Sequence, residues 1–128
     1  MTRILIVEDD PRLAKTMDSL LSAESHTTVV VHSGEEGIER LRSERFNLLL
    51  TDLLMEKGTG FDVLEWARTN APDLPVLICS SYARPELLKP HLEGLRHRIV
   101  KKPFEDKHLT SMVAELLLED GERRPGPS

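Results

Sequence analysis

Five short apolar runs alternate with helical patterns along this chain, and this alternation limits the fold more than any other feature of the sequence. The runs are Ile4–Val7, Val29–Val31, Phe46–Leu50, Val76–Cys79 and Ile99–Val100. Strands that are apolar at nearly every residue and are separated by helices indicate a parallel sheet that helices cover on both faces. We therefore expect a single α/β domain built on a five-stranded, doubly wound parallel sheet.

The composition excludes several classes of function. A length of 128 residues suits one domain with a real core, and the net charge of −5 argues against direct binding to nucleic acid. No apolar stretch approaches the ~18 residues of a membrane span, and the first apolar run is too short for a secretory signal. The one cysteine, Cys79, lies inside an apolar run, which predicts a buried thiol and excludes an intrachain disulfide. These features predict a cytoplasmic protein without membrane contact.

The second half of the chain carries signals that bound the domain. A helix that starts near Pro85 has Pro90 inside its pattern, so we expect it to be short, kinked or labile, because an internal proline costs roughly 3 kcal/mol. The next helix is better formed and begins at about Glu105. Residues 120–128 are rich in glycine, proline and polar residues, which predicts a disordered tail or linker after a domain of residues 1–119.

Polar side chains follow four of the apolar runs. Glu8 and Asp9 follow the first run, and Asp52 follows the third; Ser80 and Lys102 follow the fourth and fifth. In an open parallel sheet, ligands bind beyond the carboxyl ends of the strands, where the strand order reverses. Acids crowded at one place are unfavourable unless a cation or a proton relieves them. The residues alone therefore leave two alternatives, a divalent-metal site or a proton-sharing acid pair.

The residue types at these strand ends suit phosphoryl chemistry at a metal ion. Clustered carboxylate oxygens are ligands that Mg²⁺ prefers, and a carboxylate beside the metal can act as nucleophile on phosphorus. The metal and Lys102 would neutralise charge on the transferring group, and Ser80 would donate a hydrogen bond to it. Asp52 is the best candidate for the nucleophile, because it stands alone at the end of a central strand.

The pattern resembles the receiver domain of two-component response regulators, over roughly residues 3–118. The resemblance rests on ILIVEDDP at 4–11, LLLTDLLM at 48–55 with Gly60, VLICSS at 76–81, and KKPF at 101–104. It implies a flavodoxin-like sheet with the strand order 2-1-3-4-5.

The resemblance also implies a role for each acid. Asp52 would accept the phosphoryl group in a site that contains Mg²⁺. Asp9 would bind the metal directly and Glu8 through water, with Asp52 and the backbone carbonyl of Leu54 as further ligands. Asp10 would lie outside the metal site and cap the first helix. Ser80 would be the switch hydroxyl, the one that responds to the phosphoryl group. Lys102 would be the family's lysine, and its bond to Pro103 would be cis, as is common in the family.

The implied function is a signalling switch rather than a conventional enzyme. A sensor histidine kinase or a phosphotransfer protein would supply the phosphoryl group, and the resulting change would reach the face formed by the fourth helix, the fifth strand and the fifth helix. That face would control a downstream effector protein or a fused output domain, and we also expect a dimer that forms on phosphorylation. Autodephosphorylation would be slow, because bulky Leu54 and Tyr82 occupy the positions that control access of water.

Departures from the family pattern keep one alternative open. Glu56 stands where the family usually has proline, and Ile99 where it usually has an aromatic residue that responds to the switch hydroxyl. The alternative is a pseudo-receiver, an interaction module of the same fold that is never phosphorylated. A haloacid-dehalogenase-like phosphatase is excluded, because Leu54 stands where its second aspartate is required. A flavodoxin-like electron carrier is excluded too, because Glu8 and its acidic neighbours would repel the phosphate that the first loop must bind.

Overall fold

The computed structural model describes residues 2–53, 60–81 and 85–123 of the chain. Strands and helices alternate throughout these ranges, as the apolar runs predict. In chain order the elements are β1 (Arg3–Val7), α1 (Pro11–Ala23), β2 (Thr27–Val31), α2 (Gly34–Ser43), β3 (Leu48–Thr51), α3 (Gly60–Asn70), β4 (Val76–Ser80), α4 (Pro85–Leu92), β5 (His97–Lys101) and α5 (Asp106–Arg123).

The strands form one five-stranded parallel sheet in the order β2-β1-β3-β4-β5, which confirms the expected fold class and topology. Alternate strand residues point to opposite faces of the sheet. Leu5 and Leu49 pack under α2, α3 and α4, whereas Ile6 and Leu50 pack under α1 and α5. Both faces are therefore covered by helices, and the strands are apolar because neither face meets water. Among the described residues, no helix has the length and apolar character needed to cross a membrane.

The last two helices differ in how well the sequence predicts them. α4 is eight residues long and contains Pro90, which confirms the expectation of a short helix. α5 continues to Arg123, so it enters the segment from residue 120 onward that we expected to be a disordered tail. Gly121 therefore lies inside the helix, although a glycine there costs about 1 kcal/mol relative to alanine.

The register of the sheet brings the strand ends together at one edge. The last residues of β2, β1 and β3 lie opposite one another. His32, Glu8 and Asp52 therefore leave three neighbouring strands at the same level. The last residues of β4 and β5 are also paired, so Ser80 and Lys102 arrive at the same edge from the other side.

Candidate functional site

Asp52 is fixed through both its backbone and its side chain. Its N–H donates to the carbonyl of Val7 at 3.0 Å, which continues the β1–β3 pairing one residue past the strand. The Leu53 N–H donates to Asp52 Oδ1 at 2.7 Å, and the Thr51 hydroxyl donates to the Asp52 carbonyl at 2.9 Å. Only 6% of the residue is exposed. The carboxylate is thus held in one orientation at the edge of the sheet.

Lys102 lies between two buried carboxylates. Its Nζ donates to Asp52 Oδ2 and to Glu8 Oε1, each at 2.6 Å. Its backbone N–H donates to the carbonyl of Ser80 at 3.0 Å, which extends the β4–β5 pairing to the site. The peptide bond between Lys102 and Pro103 is cis, as the resemblance implies. The chain itself therefore provides a cation that relieves the crowded acids.

The electrostatics of the site follow from burial and from these contacts. Burial raises the pKa of Glu8 above its ordinary 4.5, and the hydrogen bond from Lys102 opposes this effect only in part. For Lys102, burial alone would lower the pKa, but the hydrogen bonds with Asp52 and Glu8 outweigh it and raise the pKa above 10.5. Lys102 is therefore a permanent cation at neutral pH.

The acids of this edge form a donor set that fits one divalent cation. One carboxylate oxygen from each of Glu8, Asp9 and Asp52 lies within 4.8 Å of the others. Glu8 is only 1% exposed and Asp9 is half-buried. Clustered carboxylate oxygens with one side open to solvent match Mg²⁺, which takes one or two carboxylates and keeps several waters. The fourth expected ligand, the carbonyl of Leu54, lies outside the described residues.

Asp10 and Ser80 also lie at this edge of the sheet, in different roles. Asp10 is not in the acid cluster; its Oδ1 accepts from the Arg12 N–H at 3.0 Å and caps α1, as expected. Ser80 is buried at the end of β4, and Ser81 after it is exposed. Tyr82, which we expected to limit the access of water, and Glu56, which stands where the family usually has proline, lie outside the described residues.

The structure adds two positions to which we had assigned no contact with the site. A Cβ on Gly60 would lie 1.8 Å from the Asp52 carbonyl oxygen, so only glycine allows α3 to start this close to the backbone of Asp52 and Leu53. The ring of His32 lies beside Glu8, with its Nδ1 3.0 Å from the Glu8 carbonyl oxygen. The contact of His32 with Glu8 joins residues 24 apart in the chain, and the register of the folded sheet reveals it.

Comparison with known proteins agrees with this geometry. The response regulator FleR of Pseudomonas aeruginosa is 33% identical over 128 residues, which are 98% of this chain and 27% of FleR. A CheY-like receiver domain protein from Methanospirillum hungatei superimposes with a TM-score of 0.91 at 26% identity, over 97% of this chain and 99% of that one. TrrA from Thermotoga maritima, crystallised in complex with Mg(2+)-BeF, has a TM-score of 0.82 at 23% identity, over 91% of this chain and 99% of that one.

The curated relatives differ from this chain in length. The chain spans about a quarter of FleR and about half of several other response regulators. The family model of the response regulator receiver domain matches residues 4–114. Because that match extends over most of the chain, this protein belongs to the family of response regulator receiver domains.

Proposed function

We propose that Asp52 accepts a phosphoryl group from a phosphohistidine of a sensor histidine kinase or phosphotransfer protein, in a Mg²⁺-dependent reaction. The observation that carries this proposal is the joint placement of three carboxylates and one ammonium at a single sheet edge. Asp52, Glu8 and Asp9 converge there, and Lys102 contacts two of them at 2.6 Å. Isolated strand-end acids would have a structural explanation, but this combination matches the chemistry of phosphoryl transfer.

Each residue has a distinct part in the proposed reaction. Asp9, Glu8, Asp52 and the carbonyl of Leu54 would hold Mg²⁺, which when bound neutralises charge on the phosphoryl oxygens. The carboxylate of Asp52 would form the new O–P bond while the P–N bond to the donor histidine breaks. The imidazole would leave with that electron pair. Support for the metal comes from the acid cluster and from TrrA, a protein of the same fold that was crystallised with Mg(2+)-BeF.

The contacts of Lys102 suggest how the modified state differs from the unmodified one. Lys102 now bridges Asp52 and Glu8, and a phosphoryl group on Asp52 would offer its ammonium a more highly charged partner. The hydroxyl of Ser80 would donate to the same group. Because Lys102 directly follows β5, its movement would shift a pre-existing equilibrium at the face of α4, β5 and α5.

That face would control a downstream effector or a fused output domain in the cytoplasm, and phosphorylation would also favour a dimer. The readout at this face is proposed to differ from the family pattern, because Ile99 of β5 stands where an aromatic residue is usual. Ile99 is partly buried and packs against the core under α4. An aliphatic side chain of this size has no ring to rotate, so we expect the change to travel through the position of α4 itself.

The experiment is incubation with acetyl phosphate and Mg²⁺, followed by intact-mass measurement. We expect one labile phosphoryl adduct in the wild-type protein, none in Asp52→Asn and none after chelation of the metal. The matched control is Asp10→Asn, which removes a neighbouring acid outside the cluster and keeps a good helix cap, and it should be modified like the wild type. Failure of the wild type to gain the adduct, with Asp52→Asn behaving identically, would favour the pseudo-receiver.

A further inference from the structure

The acid turn after β1 is tied to the sheet mainly through Glu8. The Glu8 N–H donates to the carbonyl of Val31 at 3.1 Å, and the Glu8 carbonyl accepts from His32 Nδ1 at 3.0 Å. Its side chain accepts from the Asp10 N–H at 3.1 Å and from Lys102 Nζ at 2.6 Å. The end of β2 therefore holds both backbone polar groups of Glu8, and one of those two bonds comes from a side chain.

His32 reaches this position because of the sheet register. It is the first residue after β2, at the level where Glu8 follows β1 and Asp52 follows β3. Its ring is exposed and belongs to neither of the apolar cores. A substitution at His32 therefore removes a polar contact with the acid turn while it leaves the packing of the domain unchanged.

The chemistry of this contact defines which side chains can replace it. A carbonyl oxygen only accepts hydrogen bonds, so His32 Nδ1 must carry the hydrogen. That N–H is present in the protonated ring and in the neutral tautomer with its hydrogen on Nδ1, so the bond can form with either charge of the histidine. The side-chain amide of asparagine presents a donor at the same distance from the backbone, whereas leucine presents none.

We propose that His32 is a positioning residue that holds the turn of Glu8 and Asp9 in the geometry required to bind Mg²⁺. This inference rests on the proposed function, because it concerns the same metal site. Partners outside the ligand set that orient metal-binding residues typically change metal affinity by ~10–100-fold. The ring of His32 is exposed and water competes for its bond, so we expect an effect at the low end, about tenfold.

The test compares His32→Leu, His32→Asn and His108→Leu, a control at another exposed histidine on α5. The first measurement is NMR hydrogen exchange at the Asp10 amide in the metal-free protein, since that N–H donates to Glu8 Oε2. The second is the Mg²⁺ dissociation constant from a titration of the same amide signals. His32→Leu should accelerate exchange and weaken Mg²⁺ binding about tenfold, with an unchanged melting temperature. His32→Asn should restore the wild-type exchange rate and the wild-type Mg²⁺ affinity.

The outcomes separate this inference from the function on which it rests. Wild-type protein that binds Mg²⁺, with His32→Leu binding it equally and exchanging at the wild-type rate, would overturn the positioning role alone. Asparagine that behaves like leucine would also overturn it, because the donor would then be irrelevant. Wild-type protein that binds no Mg²⁺ would contradict the proposed function, and the metal role of His32 with it.

Discussion

The Nζ of Lys102 lies 2.6 Å from Oδ2 of Asp52, so the carboxylate that we propose as nucleophile already has a cationic partner inside the fold. The same ammonium contacts Glu8, and 18% of the lysine side chain remains exposed. We propose two functions for this lysine that can be separated by experiment. It would stabilise the acid cluster in the metal-free protein, and it would contact a phosphoryl group on Asp52.

Substitution of Lys102 by methionine should therefore make the protein depend on Mg²⁺ for stability. Without the ammonium, buried Glu8 and Asp52 lose their cation, and we expect the free energy of unfolding to fall by about 2 kcal/mol at neutral pH. Mg²⁺ should then raise the melting temperature by more than it does in the wild type, because binding to the folded state alone stabilises it. The measurement is thermal unfolding with and without Mg²⁺.

The pH dependence of this deficit follows from Glu8, whose pKa is raised by burial. A raised pKa means that the folded state holds the proton more tightly than the unfolded chain. In Lys102→Met the penalty should be largest at neutral pH and should shrink as the pH falls toward 4.5, the ordinary value for glutamate. Lys101→Met, at the exposed neighbour, is the control. If Mg²⁺ raised the melting temperature equally in the wild type, Lys102→Met and Lys101→Met, the stabilising role of Lys102 would be contradicted.

Gly60→Ala should damage the site more than an alanine at any open glycine. The new Cβ would overlap the Asp52 carbonyl, with Leu53 Cα at 2.6 Å, so the backbone of Asp52 and Leu53 or the start of α3 must move. We expect a loss of about 3 kcal/mol in unfolding free energy and slower phosphorylation by acetyl phosphate.

Gly94→Ala is the matched control for this prediction. Gly94 has a φ of +84°, and no atom lies within 4 Å of the Cβ position, so alanine there adds only backbone strain. We expect the free energy of unfolding to fall by about 1 kcal/mol and the phosphorylation rate to stay unchanged. Chemical denaturation and the acetyl phosphate assay measure both effects. Similar phosphorylation rates for the two alanine variants would show that the close approach of Gly60 is unimportant to Asp52.

Cys79 should resist alkylation in the folded protein. The residue is fully buried in the core under α1 and α5, and burial raises the pKa of its thiol to about 12. Thiolate is the reactive form, so iodoacetamide at pH 8 should modify the protein only after denaturation. The measurement is intact mass over time in buffer and in guanidinium. Rapid modification of the native protein would contradict the packing of β4 in that core.

Replacement of Leu54 and Tyr82 by small polar residues should speed autodephosphorylation. The family resemblance implies that these bulky residues limit the approach of an attacking water to the aspartyl phosphate. We expect slow loss of the phosphoryl group in the wild type and a faster loss in the double variant. The measurement is intact mass over time after acetyl phosphate is removed. An unchanged rate would show that neither side chain limits the access of water.

The sequence predicts the interior of this fold better than its edges. Runs such as Ile4–Val7 are apolar because both faces of the sheet are covered, and they mark β1 directly. The strand β5 extends to His97 and Lys101, beyond the two-residue run that we predicted. Within the described residues β5 is an edge strand that pairs only with β4, and an edge tolerates and even favours charged residues.

The candidate site divides in the same way. The sequence predicts that Glu8, Asp9, Asp52 and Lys102 lie at one edge of the sheet, because each of them follows the end of an apolar run. The contact of His32 with Glu8 depends instead on the register between β1 and β2. A register follows from the packing of the whole sheet rather than from any local pattern, so nothing in the neighbourhood of His32 identifies its partner.

The measurement that tests the central claim most directly is the location of the phosphoryl group after reaction with acetyl phosphate and Mg²⁺. Reductive trapping of the aspartyl phosphate, followed by peptide mass spectrometry, distinguishes Asp52 from Asp9 and Asp10. We predict that Asp52 alone is modified and that Asp52→Asn yields no trapped residue. Modification of another acid, or a wild-type protein that is never modified, would contradict the assignment of Asp52 as the phosphoryl acceptor.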